Sequence, residues 1–329
     1  MDSNKVVSVI VPCYNVSEYV RRCVDSIMNQ SYPAIELIAI NDSSTDDTFS
    51  VLQSIEKDYQ GNEKCIKLIN LTSNVGPGTV RDIGVDNATG QYIMFVDSDD
   101  WISLGCISSC VSLMEKYQAD MIEFGYKRTS EYIPPILQPS VQDDLMFKIC
   151  ESNIEIEKQS DHIAWNKLFR TDIIKKNEIK FKYRIFEDTL FTRKYAFCCS
   201  LAIFVNNIFY SYYCNKSSTT SSIEISTLEN IERTNEVIEF YDSKGFYDNK
   251  EVYIEKGMEY LLMHLTRMSY SQHKKFCFSH PQSEYAKRMQ PFIDLFNKNG
   301  FLFRIKAYSY LGLKKSIKIM YRHYITHIR

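Results

Sequence analysis

Four runs of apolar, β-branched residues lie within the first hundred positions, and segments with helical periodicity separate them. The runs cover residues 6–11, 36–40, 65–71 and 92–96. Apolar residues fill these runs without strict alternation, which is typical of strands that are buried on both faces. Strands of this kind, joined by helical crossovers, predict an α/β fold with a mostly parallel central sheet and helices on both faces.

The segments between the runs carry helix signals. Ser17 is placed to cap a helix whose apolar face includes residues 20–27. Ser44 or Thr45 is placed to open the next helix, with two aspartates in its first turn. A third helix is predicted near residues 79–87.

Composition allows one large domain and a smaller second region. The 329 residues are 44% hydrophobic, which is enough for a packed core. The predicted division is residues 1–222 for the α/β domain and 223–329 for a C-terminal helical extension that is basic at its end. The net charge of −2 gives no general attraction to nucleic acid, so no nucleic-acid partner is expected.

The beginning of the chain lacks the basic residues that precede the apolar core of a secretory signal, so a cytoplasmic location is expected. Residues 195–215 are uncharged, but polar residues interrupt them, and we interpret them as a helix end followed by core strands. Ten cysteines in such a chain are expected to be reduced. From residue 301 the chain has seven Lys and Arg and no acid. This segment either contacts an anionic membrane surface at the inner face or packs on the domain.

Polar residues collect where the four predicted strands end, in "VPCYN", "INDSSTDD", "NLTSNVGPG" and "VDSDDW". Ligands of parallel sheets bind beyond the carboxyl ends of the strands. Asp42 follows the second strand, and Arg81 lies on the helix after the third, from which it can reach phosphate or the acidic turn. The sequence therefore predicts a cleft at this edge of the sheet.

The turn Asp97-Ser98-Asp99 places two carboxylates beside a buried strand. Neighbouring carboxylates raise each other's pKa, so a shared cation is expected. Oxygen ligands of this type hold Mg²⁺ or Mn²⁺, which also binds phosphate oxygens. The alternative is that the two aspartates only cap the following helix and form turn hydrogen bonds.

Glu187 and Asp188 open a predicted helix, which offers a carboxylate base that the helix N-terminus would keep ionised. Sugar transfer from a diphosphate needs such a base and a stabilised leaving group. One base and a metal-held leaving group predict direct displacement with inversion. The alternative is that both residues are ordinary first-turn acids.

Several ordered motifs resemble a known family. "SVIVPCYNVSEYVRRCVDSIMNQSY", "ELIAINDSSTDDT" and "NVGPGTVRDIGVDNATGQYIMFVDSDDW" resemble the glycosyltransferase family 2 domain, which has the GT-A fold. Downstream, "AWNKLFR" and "FEDTLF" resemble the branch that builds bacterial capsule, O-antigen and exopolysaccharide. The resemblance covers roughly residues 6–220 and leaves the remainder unexplained.

The resemblance implies residue roles. Tyr14 would lie near the nucleotide base, and Asp42 would bond a uracil ring. The whole nucleotide-sugar pocket that the resemblance implies is formed by Pro12, Tyr14, Asn15, Asp42, Arg81, Asp97 and Ser98. The resemblance also implies that Asp99 binds the Mn²⁺ or Mg²⁺ on the diphosphate and that Asp188 is the catalytic base, with Glu187 beside it. Trp165 and Asp100 would lie on the acceptor side, although Asp100 has a turn role as its alternative.

The sequence departs from the family pattern at two positions. Ser43 stands where glycine is common, and Asp82 where asparagine is common. A serine there could restrict the turn that holds Asp42. Separately, Lys216 lies in the hydroxyl-rich segment "YSYYCNKSSTTSS", which is either a loop that closes over the diphosphate or a solvated loop.

The leading hypothesis is an inverting, metal-dependent glycosyltransferase with a UDP-sugar donor and a glycan or lipid-linked glycan acceptor. The alternatives are an inactive nucleotide- or metal-binding regulator of the same fold and a nucleotidyltransferase. A dinucleotide-binding interpretation of Gly76-Pro77-Gly78 fails, because Arg81 stands where the third glycine belongs.

Overall fold

A computed structural model describes residues 5–61, 63–135, 146–181 and 187–214, together with residues 240 and 243. The chain divides into two units, Met1–Thr219 and Thr220–Arg329. The predicted helical extension at 223–329 lies outside the described residues, apart from those two positions, and stays a prediction.

The described part of the chain forms strands and helices in alternation. The strands are β1 (Val7–Cys13), β2 (Ile35–Asn41), β3 (Cys65–Asn70), β4 (Tyr92–Phe95), β5 (Trp101–Ile102), β6 (Met121–Thr129), β7 (Phe147–Cys150), β8 (Lys167–Arg170) and β9 (Ala202–Tyr213). The helices are α1 (Val20–Met28), α2 (Thr48–Asp58), α3 (Pro77–Asn87), α4 (Cys106–Tyr117), α5 (Asn153–Gln159), α6 (Thr171–Lys176) and α7 (Glu187–Cys198).

All nine strands join one sheet in the order β3-β2-β1-β4-β8-β6-β9-β5, and β7 pairs with β9. The first four strands of this order run parallel to one another. β8 enters antiparallel between β4 and β6, while β6 and β9 are parallel. Because β1, β2 and β4 are adjacent and parallel, the loops that follow them meet at one edge of the sheet.

Alternate residues of each central strand enter two separate apolar layers. Val9 and Val11 of β1 pack in the layer that also holds apolar residues of α1, α2 and α4. Ile10 packs in the layer that holds residues of α3, α6 and α7. Both faces are therefore covered, which explains why apolar residues fill these runs and confirms the predicted α/β architecture.

The helix starts differ from the predictions. α1 begins at Val20 with Tyr19 in the N-cap position, and Ser17 instead donates its backbone N–H to Asp46 Oδ2 at 3.1 Å. α2 begins at Thr48 rather than at Ser44 or Thr45, and the N–H of Thr48 bonds Asp46 Oδ1 at 3.0 Å. The polar residues predicted as caps thus connect two neighbouring loops, which only the tertiary structure brings together.

Within the uncharged segment 195–215, the described residues 195–214 form the end of α7 and then β9, a single strand where several core strands were expected. Within the described residues, no helix is both long enough and apolar enough to cross a membrane. The nine cysteines in the described ranges are all free thiols.

Candidate active site

The loops after β1 and β2 are bonded to each other at the edge of the sheet. Asn15 has a positive φ of 52°, and its Oδ1 accepts the N–H of Thr45 at 2.8 Å. Tyr14 beside it is 47% exposed, so its ring is available to a ligand such as a nucleotide base. Pro12 is part of β1 and half-buried. These three residues lie together at the end of β1, and their role in a nucleotide pocket stays a prediction.

Asp42 connects the loop after β2 to the start of α3. Its carboxylate oxygens accept the backbone N–H groups of Val75 at 2.8 Å and Gly76 at 2.9 Å. Gly76 has a φ of 86°, a conformation that glycine adopts readily. Asp42 is nearly buried, and its role toward a uracil ring stays a prediction.

Arg81 of α3 joins three carboxylates from different parts of the chain. Its Nη2 lies 2.7 Å from Asp97 Oδ1, while Nη1 contacts Glu187 and lies 3.4 Å from Asp188 Oδ1. Burial opposes the charge of Arg81, but Asp188, Asp97 and Glu187 together raise its pKa. Of the two partners predicted for Arg81, the acidic residues are contacted in this structure, and the contact with phosphate stays a prediction.

Asp188 lies in the first turn of α7, and burial raises its pKa to about 7. Arg81 and the N–H of Ala164, 3.3 Å from Asp188 Oδ2, favour the ionised form. The charges of Glu187 and Asp97 oppose it. Burial therefore opposes the ionised form that the helix N-terminus was expected to favour.

Aromatic packing fixes the position of α7. The rings of Phe181 and Phe191 are stacked with centroids 4.1 Å apart. Phe95 of β4 and Phe169 of β8 contact Phe191 edge to face, at 5.6 Å and 5.5 Å. Since Phe191 lies one turn after Glu187, this cluster holds the acidic end of α7 against the strand that leads to Asp97.

Asp100 has the turn role. It is 1% exposed, its Oδ2 accepts the hydroxyl of Tyr210 at 2.6 Å, and its Oδ1 accepts the N–H of Tyr213 at 2.7 Å. The same Tyr210 hydroxyl accepts the N–H of Asp97 at 3.1 Å. The acceptor-side assignment of Asp100 needs correction, because both of its carboxylate oxygens accept hydrogen bonds from β9. Sequence analysis did not predict Tyr210, which is more than a hundred residues away.

Asp99 is half-buried, and Ser98 beside it is buried. Burial, followed by the charge of Asp97, raises the pKa of Asp99 to about 6. A divalent cation would offset both effects, so this carboxylate fits a Mg²⁺ or Mn²⁺ ligand. Across the described residues, no three His, Cys, Asp or Glu side chains are grouped so that they could hold a metal ion.

Arg22 of α1 supports the Asp99 turn and was not predicted. Its Nη2 donates to the carbonyl of Asp99 at 2.7 Å. Four aromatic rings surround its guanidinium at 4.2 to 5.5 Å from their centroids, and they belong to Tyr19, Trp101, Tyr132 and Tyr213. Three of these rings come from distant parts of the sequence, so local spacing does not mark Arg22 as a support of this turn.

Trp165 belongs to an aromatic group beside Ala164. Its ring stacks on Tyr210 with centroids 4.4 Å apart, and the ring of Tyr126 lies 4.7 Å away at 85°. Tyr212 lies at 5.6 Å. Trp165 itself is almost buried, whereas Tyr126 is exposed, so Tyr126 is the more accessible ring. Lys216, predicted on a closing loop, lies outside the described residues.

Comparison with known proteins decides the family. Residues 8–195, more than half of the chain, match the model described as "Glycosyl transferase family 2". The chain belongs to glycosyltransferase family 2. The resemblance predicted from the motifs is thereby confirmed.

Curated relatives in this family are similar over the same region. The chain is 30% identical over 222 residues to glycosyltransferase GlyA of Streptococcus pneumoniae, covering 64% of this chain and 31% of the relative. It is 31% identical over 196 residues to the poly(ribitol-phosphate) β-N-acetylglucosaminyltransferase TarS of Staphylococcus aureus, covering 57% and 32%. The matched region thus spans about a third of the length of these two relatives.

Solved structures share the fold. TarS residues 1–349 of S. aureus in complex with UDP-GlcNAc superpose with a TM-score of 0.59 at 22% identity, covering 87% of this chain and 78% of that one. The mannosyltransferase PcManGT from Pyrobaculum calidifontis, in complex with GDP-Man and Mn²⁺, gives 0.51 at 13% identity, covering 98% and 88%. This family member therefore has the GT-A fold that the resemblance implied.

Proposed function

We propose that this protein is an inverting, metal-dependent glycosyltransferase of bacterial surface polysaccharide synthesis. It moves a sugar from a UDP-sugar to a hydroxyl of a glycan or lipid-linked glycan. The observation that carries the proposal is the convergence of Asp97, Glu187 and Asp188 on Arg81 at the carboxyl edge of the sheet. The activities after which the relatives are named support the reaction class.

In this reaction Asp188 removes the proton of the acceptor hydroxyl as its oxygen attacks the anomeric carbon. The bond between that carbon and the diphosphate oxygen breaks, and UDP leaves with the electron pair. Attack from the side opposite the leaving group inverts the anomeric centre. A base works best with a pKa near the operating pH, and burial brings the pKa of Asp188 to about 7.

On the donor side, the exposed ring of Tyr14 stacks on the base, and Asp97 faces the ribose. Arg81 holds the carboxylate of Asp97 in place through the 2.7 Å ion pair. Asp99 would hold Mn²⁺ or Mg²⁺, which supplies charge stabilisation for the departing diphosphate. Glu187, bound to Arg81, orients the guanidinium and is not itself the base.

On the acceptor side, Tyr126 and Trp165 provide aromatic surface next to Ala164, whose N–H bonds the catalytic base Asp188. Sugar rings pack on such surfaces through their apolar faces. The basic segment 301–329 would bring the site to a lipid-linked acceptor at the inner membrane surface, a proposal that rests on its composition. Cosedimentation with anionic liposomes tests this part, since equal binding by a chain ending at residue 300 would refute it.

The test is UDP binding with and without Mn²⁺, followed by a panel of sugar nucleotides scored for UDP release. We expect Mn²⁺ to tighten UDP binding at least about ten-fold and Asp99→Asn to abolish that gain. Asp86→Asn is the matched control, because Asp86 forms an exposed ion pair with Lys180 away from the cleft.

The panel also separates the alternatives. An inactive regulator would bind UDP and release nothing from any sugar nucleotide. A nucleotidyltransferase would instead release pyrophosphate from a nucleoside triphosphate in the presence of a sugar phosphate. An affinity of the wild-type protein for UDP that is the same with and without Mn²⁺ would contradict the metal-dependent mechanism.

A further inference from the structure

Lys167 is a completely buried lysine at the start of β8. Its Nζ donates to Asp161 Oδ1, to the carbonyl of Ile163 and to Asn166 Oδ1, each at 2.7 Å. Glu123 on the neighbouring strand β6 lies 3.1 Å from the same nitrogen. One ammonium group therefore has two carboxylates and two neutral oxygens around it.

These contacts fix the loop that joins Asp161 to Asn166. Asp161 Oδ1 also accepts the N–H of Ile163 at 3.2 Å, and its Oδ2 accepts the amide of Asn166 at 2.8 Å. Asn166 is tied to β6, because its carbonyl accepts the N–H of Phe124 at 3.0 Å. The loop thus encloses the ammonium group and is bonded to β6 at both ends, because the N–H of Asp161 also donates to Glu123 Oε1 at 3.4 Å and the amide of Asn166 to the carbonyl of Phe124 at 3.2 Å.

Ala164 lies within this loop, and its backbone N–H is 3.3 Å from Asp188 Oδ2. The other charged groups that face Asp188 are Arg81 of α3, Glu187 of α7 and Asp97 after β4. Arg81 divides its charge among three carboxylates. The N–H of Ala164 is therefore a separate source of stabilisation for the ionised form of Asp188.

We infer that Lys167 is a positioning residue for Asp188: its buried ammonium holds the 161–166 loop so that the N–H of Ala164 points at the Asp188 carboxylate. This inference rests on the proposed function only for the statement that Asp188 is the base. Replacing a buried ion cluster with apolar groups of similar size is often neutral or stabilising, so stability by itself does not account for such a lysine.

The double variant Lys167→Met/Glu123→Gln tests the inference, because it removes the cation and one buried carboxylate together. The measurement is a ¹³C carboxyl titration of Asp188 in the full chain without ligands, with the signal assigned by Asp188→Asn. We expect the pKa of Asp188 to rise by about one pH unit, the order expected for losing a hydrogen bond to a charged group. Lys175→Met is the matched control, since among the described residues Lys175 Nζ has one hydrogen bond, to the carbonyl of Ala88 at 2.9 Å.

A folded double variant with an unchanged Asp188 titration would overturn the inference. If the double variant does not fold, Asp161→Asn takes its place, because it weakens the same loop while keeping the lysine; we expect a smaller rise, and no rise would be equally decisive. If the wild-type protein releases no UDP but the titration shifts, the positioning role stands and the proposed function fails. If UDP is released, a rise of one unit lowers turnover at pH 7 about five-fold, since less Asp188 is ionised.

Discussion

At the scale of single residues, Arg81 partly neutralises the negative charge that follows β4. The sequence led us to expect a cation shared by Asp97 and Asp99, and the structure supplies a protein cation for Asp97. Three carboxylates around one guanidinium still leave the cluster negative. Burial and that remaining charge bring the pKa of Asp188 to about 7, in the range where a base can both accept and release a proton.

The role of Asp188 predicts the effect of a nearly isosteric change. Asp188→Asn keeps the shape of the side chain and removes the base, so we expect UDP release from the best donor to fall at least about 100-fold. UDP affinity, measured by calorimetry, should stay within about two-fold. Asp86→Asn should leave both quantities unchanged. Full activity in Asp188→Asn would assign the base to another group.

Ser43 gives a second prediction at this scale. Its φ is 56°, in the left-handed region that side chains other than glycine adopt at a cost. We expect Ser43→Gly to raise the free energy of unfolding by about 0.5–1 kcal/mol, after allowing for the extra freedom of glycine in the unfolded chain. Urea unfolding measures this change in the free energy of unfolding. Ser50→Gly, within helix α2, should have the opposite sign, and destabilisation by both variants would contradict the argument.

At the scale of elements, α3 must lie close to β1 for Arg81 to reach the acidic residues. Gly84, one turn after Arg81, makes this contact, because an added Cβ would collide with the side chain of Ile10. Asp82 on the same helix connects α3 to the segment before α7, since its Oδ1 accepts the N–H of Phe181 at 3.0 Å. The aspartate that replaces the family's usual asparagine keeps an acceptor there.

We therefore expect Gly84→Ala to lower the free energy of unfolding by about 1–3 kcal/mol, as overpacking does, and to weaken UDP binding by displacing Arg81. Urea unfolding and calorimetry measure the two effects. In the Ile10→Ala background the added methyl group has space, so the penalty should shrink. Strictly additive effects in this double-mutant cycle would exclude the proposed collision.

The element boundaries show where sequence patterns were sufficient. The four predicted strands of the first hundred residues correspond to β1 to β4, each within about two residues at either end. The N-caps of the first two helices were predicted two or three residues too early. The cause is Asp46, whose carboxylate oxygens accept the N–H of Ser17 before α1 and the N–H of Thr48 at the start of α2. Capping residues are recognised by local spacing, and this pairing is not local.

At the scale of the whole molecule, the burial of three carboxyl groups at this edge of the sheet makes stability depend on pH. Burial raises the pKa of Asp99 to about 6, of Asp188 to about 7 and of Asp100 to about 9, all from an ordinary 3.8. At any pH between its ordinary pKa and its raised pKa, each group binds more protons in the folded state than in the unfolded state. The free energy of unfolding must therefore fall as pH rises.

We expect the urea midpoint to fall from pH 6 to pH 9, with a shallower fall in Asp188→Asn and an unchanged slope in Asp86→Asn. Adding UDP with Mn²⁺ should recover stability at pH 8, because ligands that bind only the folded state stabilise it. A midpoint that rises over this range would show that the three acids do not govern alkaline stability.

The sequence by itself determined the family, the parallel half of the sheet and the edge at which polar residues collect. Each of these follows from local patterns: apolar runs, turn residues and ordered motifs within a few tens of positions. The resemblance also named Arg81, Asp97 and Asp188 as site residues. Their chemical types were readable from the sequence before any contact was known.

Only the tertiary structure decided which of these groups act on one another. It assigned Glu187 to Arg81, enclosed Asp100 between Tyr210 and Tyr213, and placed the loop held by Lys167 against Asp188. It also supplied the burial that raises the pKa of Asp188. The physical reason is that desolvation and charge depend on every group within a few ångströms, and here those groups are separated by up to 113 residues of chain.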